Sequence, residues 1–365
     1  MFTLPAYTPP DFSEEKFKNA PDAKTAPVET DGVAPVNFHA TSMYPEYYKL
    51  GGKWRLAEDS RMDCVVVVKD DGSLAVTEPR RLRAGENVIV GRTEDGSEGI
   101  YLYESGFFKA DGARDAFAFR QGRSRETAFS RDYDRFYDLL RHEKEHGNIL
   151  WVLGPALVFD SDSRHAMQSL IENGYADGLM AGNAMATHDL EAGLMHTALG
   201  QDIYTHESVP MGHYHHLETI NRVRRCGSIA KFVDEYSIGD GVMQACVRHD
   251  VPFVLAGSIR DDGPLPEVIH SVYDSQDTMR ALVRRATTVV CLATQLHTIA
   301  TGNMTPSFRV MEDGTIRPVY LYVVDVAEFA VNKLRDRGSL SSTGIVANVQ
   351  DFIVNAAKGV GVYQK

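Results

Sequence analysis

Three ionisable residues in a row, Arg260, Asp261 and Asp262, follow the apolar run Pro252-Phe-Val-Leu-Ala256 and Gly257. An isolated R-D-D-G reads as a solvated turn. Here the preceding run has the composition of a buried strand, and Pro264 and Pro266 stiffen the stretch that follows, so these side chains are expected to be held ready for use. An Arg can clamp a carboxylate through two parallel hydrogen bonds, and an Asp can hold an ammonium or act as a general base once its pKa is raised. Spacing does not divide those tasks between Asp261 and Asp262.

The same architecture recurs along the second half of the chain. Gly154-Pro155 follows one apolar run, Gly182 to Asp189 a second and Ala293 to Met304 another, while Asp325 ends VYLYVVD. If the runs are parallel strands, the segments after them converge on one sheet edge. Small residues such as Gly154, Pro155 and Ala184 admit a ligand close to the backbone, and Asn183, Ser258 and Asn303 bring neutral groups suited to a pyrophosphate or ribose. Asp325 stands where an acid can accept from a ribose diol or cap a helix. No G-x-G-x-x-G and no G-x-x-x-x-G-K-[ST] occurs, so a dinucleotide would need another loop design.

Histidines offer further candidates. His297 lies among Thr, Gly and Asn and reads equally as a site residue or a structural one. His188-Asp189 is either a proton-transfer pair or a helix cap at Asp189. Gly212-His-Tyr-His-His216 has no cysteine and no H-E-x-x-H beside it, so substrate contact or subunit packing is expected ahead of metal binding, and no metal site is assigned.

The elements that must position these residues follow from the hydrophobic pattern. Strands are expected near Ile149–Leu153, Gly178–Ala181, Phe253–Ala256, Val289–Leu292, Val319–Val324 and Gly344–Ala347. Helices are expected near Ser163–Asn173, Leu190–Leu199, His216–Cys226, Val242–His249, Asp277–Arg285 and Ala327–Arg337, after a first one leading from Phe117 to His146. Buried strands alternating with amphipathic helices imply an α/β domain, residues 116–365, built on a mainly parallel sheet. Upstream, residues 37–115 carry short β-type runs (Met62–Val68, Ser73–Thr77, Asn87–Gly91, Gly99–Tyr103) separated by turn signals, which predicts a small, mostly antiparallel β domain. Six of the fifteen prolines precede Val36, so residues 1–36 read as an extended arm that wraps a neighbouring subunit.

Composition narrows the function class. The 365 residues are 43% hydrophobic and 24% charged, the proportions of an ordinary globular protein. A net charge of −12 with no basic run argues against nucleic acid and anionic membranes as partners. Cys64, Cys226, Cys246 and Cys291 form no C-x-x-C pair and fit reduced thiols. With no basic-then-apolar leader at the N-terminus and no run long enough to span a bilayer, a cytoplasmic location is expected.

The stretches AGNAMATHDLE, GHYHHLETINRVRRCGSI, PFVLAGSIRDDGPLPEVI, LHTIATGNM and VNKLRDRGS, in that order, resemble the archaeal-type NAD-dependent ornithine cyclodeaminases. That family shares a conserved domain with bifunctional lysine-ketoglutarate reductase/saccharopine dehydrogenase proteins. The resemblance extends upstream through FHATSMYPEYYKLGGKWRLAEDSRMDCVVVV, and so runs from about Asn37 to near the C-terminus. It implies a deoxyhypusine-synthase-like NAD domain, which accounts for a nucleotide site without the glycine fingerprint. It also implies a redox-neutral reaction on tightly bound NAD, in which ornithine becomes proline through an imine and ammonia is released. On that footing Arg260 takes the substrate carboxylate, Asp262 an amine or its proton, and Asp261 or His297 assists. Gly154, Pro155, Asn183, Ala184, Ser258, Asn303 and Asp325 fall to the cofactor. Family members often carry a further N-terminal module; only the proline-rich stretch precedes Asn37 here, and no second activity is expected. A homodimer or homotetramer is expected. The rival readings are another amino-acid or imine oxidoreductase, or an amine-transfer enzyme, on the same scaffold, and an NAD-binding module without activity.

Overall fold

All five residues of Ile149-Leu-Trp-Val-Leu153 are buried, and because strand side chains alternate between faces, this run needs cover on both sides. In the computed structural model, which describes residues 2–107, 130–261, 263–328, 331 and 339–364, it lies inside a seven-stranded parallel sheet.

The N-terminal part contains α1 (Glu15–Lys18) and the strands β1 (Lys24–Pro27), β2 (Glu46–Leu50), β3 (Lys53–Leu56), β4 (Val65–Val68), β5 (Leu74–Thr77), β6 (Asn87–Val90) and β7 (Ile100–Leu102). They form two antiparallel sheets, ordered β1-β6-β4-β5 and β3-β2-β7. Tyr48, Cys64, Val66, Ile89 and Ile100 fill a shared core. The segment before Val36, expected to be an arm, packs on its own chain instead. Strand β1 pairs with β6, Phe12 stacks on Trp54, and Lys49 Nζ donates to the carbonyls of Phe17, Lys18 and Ala20 at 3.0, 2.8 and 2.7 Å. Aromatic burial at Phe12 and Phe17 outweighs the extended bias of the prolines.

The larger part begins with α2 (Ser130–His146) and β8 (Ile149–Leu153), then α3 (Ser161–Glu172), β9 (Gly178–Gly182) and α4 (Asn183–Met195). A short hairpin, β10 (Thr197–Ala198) and β11 (Gln201–Asp202), leads to α5 (His215–Cys226), α6 (Ile229–Glu235) and α7 (Val242–Arg248). There follow β12 (Phe253–Ala256), β13 (Val268–Ile269), α8 (Val272–Val283), β14 (Thr288–Leu292) and α9 (Gln295–Met304). After a hairpin of β15 (Phe308–Val310) and β16 (Ile316–Pro318) come β17 (Tyr320–Asp325), β18 (Ser341–Val346) and α10 (Val349–Val360).

The sheet order is β13-β12-β9-β8-β14-β17-β18. Ile149, Trp151 and Leu153 face a core shared with α2 to α7 and α10, whereas Leu150 and Val152 face α8 and α9. The chain builds outward from β8 to β13, returns to β14 on the other side, and builds outward again. The strand order therefore reverses between β8 and β14, where open α/β sheets leave a crevice at their carboxyl edge.

Two expected loops are helices. Helix α4 starts at Asn183, seven residues before the expected start, because it is buried on nearly every side and shows no amphipathic stripe. Helix α9 occupies most of the stretch after β14 expected to be a loop. Helix α8 starts earlier than the expected Asp277. Most of the expected helix Ala327–Arg337, and Phe117 to Phe129 of the first one, lie outside the described residues.

Candidate functional site

The centre of the crevice is a backbone contact. Gly154 N–H donates to the Leu292 carbonyl at 2.8 Å, and a Cβ at Gly154 would stand 1.9 Å from the Ala293 carbonyl oxygen. Only glycine fits there. Ala293 itself has φ 49°, a left-handed conformation that a residue with a Cβ seldom takes, so the turn leaving β14 is held under strain.

Helices begin at the ends of two strands flanking this point. Helix α4 follows β9 with Gly182 at its N-cap, and α9 follows β14 with Thr294 at its N-cap; neither cap residue supplies a side-chain hydrogen bond. The first-turn N–H groups are thus unmet by their caps, an arrangement suited to anionic oxygen. Pro155 opens a single 3-10 turn after β8. Ala184 is exposed in the first turn of α4, placing its backbone at the crevice.

The charged turn forms one wall. Asp261 accepts the Ser258 N–H at 2.8 Å, and Ser258 Oγ accepts the Arg260 N–H at 3.2 Å, so both side chains shape the turn. Arg260 is exposed at its tip, and Asp262 lies outside the described residues. The turn is tied to α4 by Asn183, whose Nδ2 donates to the Gly263 carbonyl at 3.2 Å and whose Oδ1 accepts the Leu265 N–H at 3.0 Å. Expected at the cofactor, the Asn183 side chain is committed to the loop.

His297 stands over the end of β9, where a Cβ at Gly182 would lie 2.9 Å from its Cε1. Thr294 Oγ1 lies 3.3 Å from its Nδ1. Burial lowers its pKa, opposed in part by the Asp261 carboxylate across the crevice, so the ring is neutral and able to accept a proton near neutral pH. Thr294 was missed, since the sequence carries no sign of which hydroxyl would meet the ring.

The other expected residues divide. Asp325 stands at the end of β17, beside β14, with one carboxylate oxygen accepting the Ala327 N–H at 2.9 Å. Asn303 is not at this edge: it is eight residues into α9, about 12 Å along the helix axis, and its carbonyl receives Arg61 from the small domain. Asp189 is not a partner of His188 and does not cap α4. It is buried, pairs with Arg164 Nε at 2.7 Å, and accepts the Val242 and Met243 N–H groups at 3.0 and 2.7 Å, capping α7. His188 Nδ1 lies 3.0 Å from Glu191, a buried carboxylate that also accepts from Thr197, Leu199 and Gly200. His215 meets Thr197 at 2.8 Å. Among the described residues no three His, Cys, Asp or Glu side chains converge in a metal-binding arrangement.

Residues 137–356 match a family model described as arginine dihydrolase ArgZ-like, C-terminal, Rossmann fold, and residues 45–123 match its C-terminal first region. Ornithine cyclodeaminase of Methanopyrus kandleri is 38% identical over 92% of this chain and 78% of its own length. The bifunctional arginine dihydrolase/ornithine cyclodeaminase AgrE of a Nostoc species is 36% identical over 91% of this chain and 46% of its own. A crystal structure of a conserved LOR/SDH protein from Methanococcus maripaludis superposes with a TM-score of 0.83 at 32% identity, covering 93% of this chain and 98% of that one. The ternary complex of AgrE with ornithine and NAD+ superposes with a TM-score of 0.59 at 34% identity, covering 94% of this chain and 46% of that one.

Proposed function

This chain belongs to the family of ArgZ-like ornithine cyclodeaminases, and from that premise we propose that it converts ornithine to proline with release of ammonia, using NAD. The observation that carries the reading is the crevice between β8 and β14, with its glycine contact, its two uncapped helix starts and the charged turn beside them. These features fit a dinucleotide. The first turns of α4 and α9, with Gly154, Pro155, Ala184 and Ser258, would hold the phosphates and let the ligand near the backbone, and Asp325 would take a ribose. NAD, when bound, supplies a hydride acceptor at the substrate α-carbon and the same hydride for the closing reduction.

Each residue of the wall has a task suited to its chemistry. Arg260, at the tip of a turn fixed by Ser258 and Asp261, clamps the substrate carboxylate. His297, neutral and backed by Thr294, accepts the proton from the α-amine. Asp261 faces His297 and stabilises its protonated form, and Asp262 holds the second amine. Asn183 positions the turn rather than touching the cofactor. Asn303 has no place at this crevice.

The assembly is a homodimer or homotetramer serving proline formation in the cytoplasm, organised as a small β domain over residues 37–115 that also takes in β1, and a catalytic domain over 116–365. The cysteines support a reducing compartment, and among the described residues no helix is long and apolar enough to cross a membrane.

Incubation of the purified protein with ornithine tests the activity. Proline and ammonia should appear in equal amounts while absorbance shows no free NADH accumulating. Net NADH production would replace this reading with an amino-acid oxidoreductase on the same scaffold.

A further inference from the structure

The two domains enclose a second cavity, of about 310 Å³, whose walls include Arg61, Met62, Asp63 and Arg80 from the small domain and Arg280 and Met304 from α8 and α9. On α9 its wall reaches back to Ala300, one turn from His297. Arg280 lies eight residues into α8, about 12 Å from the start of the helix at the strand-end edge.

Its charge is unbalanced. The Glu78 carboxylate alone is contacted by Arg61, Arg280 and Arg81, and Arg80 turns to Gln276 at 2.9 Å and Asp277 at 3.4 Å. Arg280 is 7% exposed, yet among the described residues its Nε and Nη1 have no hydrogen-bond partner, with Asp277 Oδ1 at 3.7 Å from Nη1. A guanidinium buried with two donors unmet is costly unless something answers it. We propose that this interdomain cavity binds the carboxylate of a small organic acid, its head group on Arg280 and its carbon stem against Met62 and Met304. The unmet guanidinium donors call for anionic oxygen, and the methionines match an aliphatic stem rather than a bare inorganic anion. Because Arg61 and Glu78 belong to one domain and Arg280 to the other, the bound acid bridges them.

Calorimetric titration of the 365-residue protein saturated with NAD tests this, with succinate and inorganic phosphate as probes. Succinate should bind saturably, with phosphate weaker, and Arg280→Gln should weaken succinate about tenfold or more while leaving NAD bound. Arg80→Gln, at the half-exposed rim, should also weaken it and decides the matter if Arg280→Gln fails to fold. Absence of saturable succinate binding, or wild-type affinity in a folded variant, overturns the proposal. Phosphate binding as tightly as succinate overturns the carboxylate assignment. Displacement of succinate by ornithine at the concentration that half-saturates turnover would make this the substrate's own pocket and overturn its separateness. Apart from that last comparison, none of these outcomes depends on turnover of ornithine to proline, so failure here and failure of the proposed activity are read separately.

Discussion

Gly154 and Ala293 touch backbone to backbone where the strand order reverses, leaving no room for a Cβ at Gly154. The blocking atom is a carbonyl oxygen, which cannot rotate away as a side chain would. Gly154→Ala should therefore cost about 1–3 kcal/mol in urea denaturation. It should also weaken NAD binding about tenfold, measured by cofactor titration. Unchanged NAD affinity would remove the cofactor from this crevice.

Asn183 separates two roles that composition left merged. If it serves the turn through Gly263 and Leu265, Asn183→Ala should raise the KM for ornithine about tenfold, since each lost hydrogen bond is worth about 0.5–1.5 kcal/mol. NAD affinity should change much less. An equal loss in both would restore Asn183 to the cofactor.

Replacing Arg260 by Gln should lower kcat/KM for ornithine by about 10- to 100-fold, the worth of a charge-assisted pair. Because the side chain is exposed at a turn, thermal stability should hold within a degree or two of wild type.

His297 sets a pH limb. Its pKa in the folded protein is lowered by burial, so the neutral form that accepts a proton is lost only below the ordinary histidine value of about 6.5. kcat/KM should rise with pH through a midpoint under that value and then level off, and His297→Gln should abolish the limb. The unfolded chain takes up the proton more readily, so stability contributed by this group is present above about pH 6.5 and falls as pH drops toward the lower folded value.

Arg164 and Asp189 form a buried pair that also caps α7. Arg164→Met leaves the carboxylate buried with its cationic partner gone and should lower unfolding free energy by about 3–5 kcal/mol. Chemical denaturation reads this directly. A loss under 1 kcal/mol would mean the backbone N–H groups of Val242 and Met243 suffice.

The large sheet was legible because its strands are apolar runs with little choice of state: Thr288–Leu292 extends the expected strand by one residue, and Tyr320–Asp325 is the expected strand moved one residue along. Polarity hid the first half of Ser341–Val346, and mixed character hid Glu46–Leu50. Helix starts were harder. Asn183 to Asp189 has the small and polar residues of a loop, yet burial of all but Ala184 makes it helical, and the helical state of Gln295–Met304 carries Asn303 away from the edge where His297 remains. Arg61 and Arg280 carried no sequence signal, since their meeting at Glu78 depends on how two domains pack.

Strand β8 pairs with β9 on one side and with β14 on the other, so Leu153 and Leu292, adjacent in the sheet, are separated by most of the intervening catalytic domain. Closing so long a loop before its contacts are gained makes such pairing slow. On the ribosome, at about 5–20 residues per second, the half-sheet β8-β9-β12 can assemble about 2–7 seconds before β14 emerges. Until then one long edge of β8 is open to strands of other chains. Slow-folding variants of this protein should therefore be lost as aggregates during synthesis, even where the finished molecule is stable.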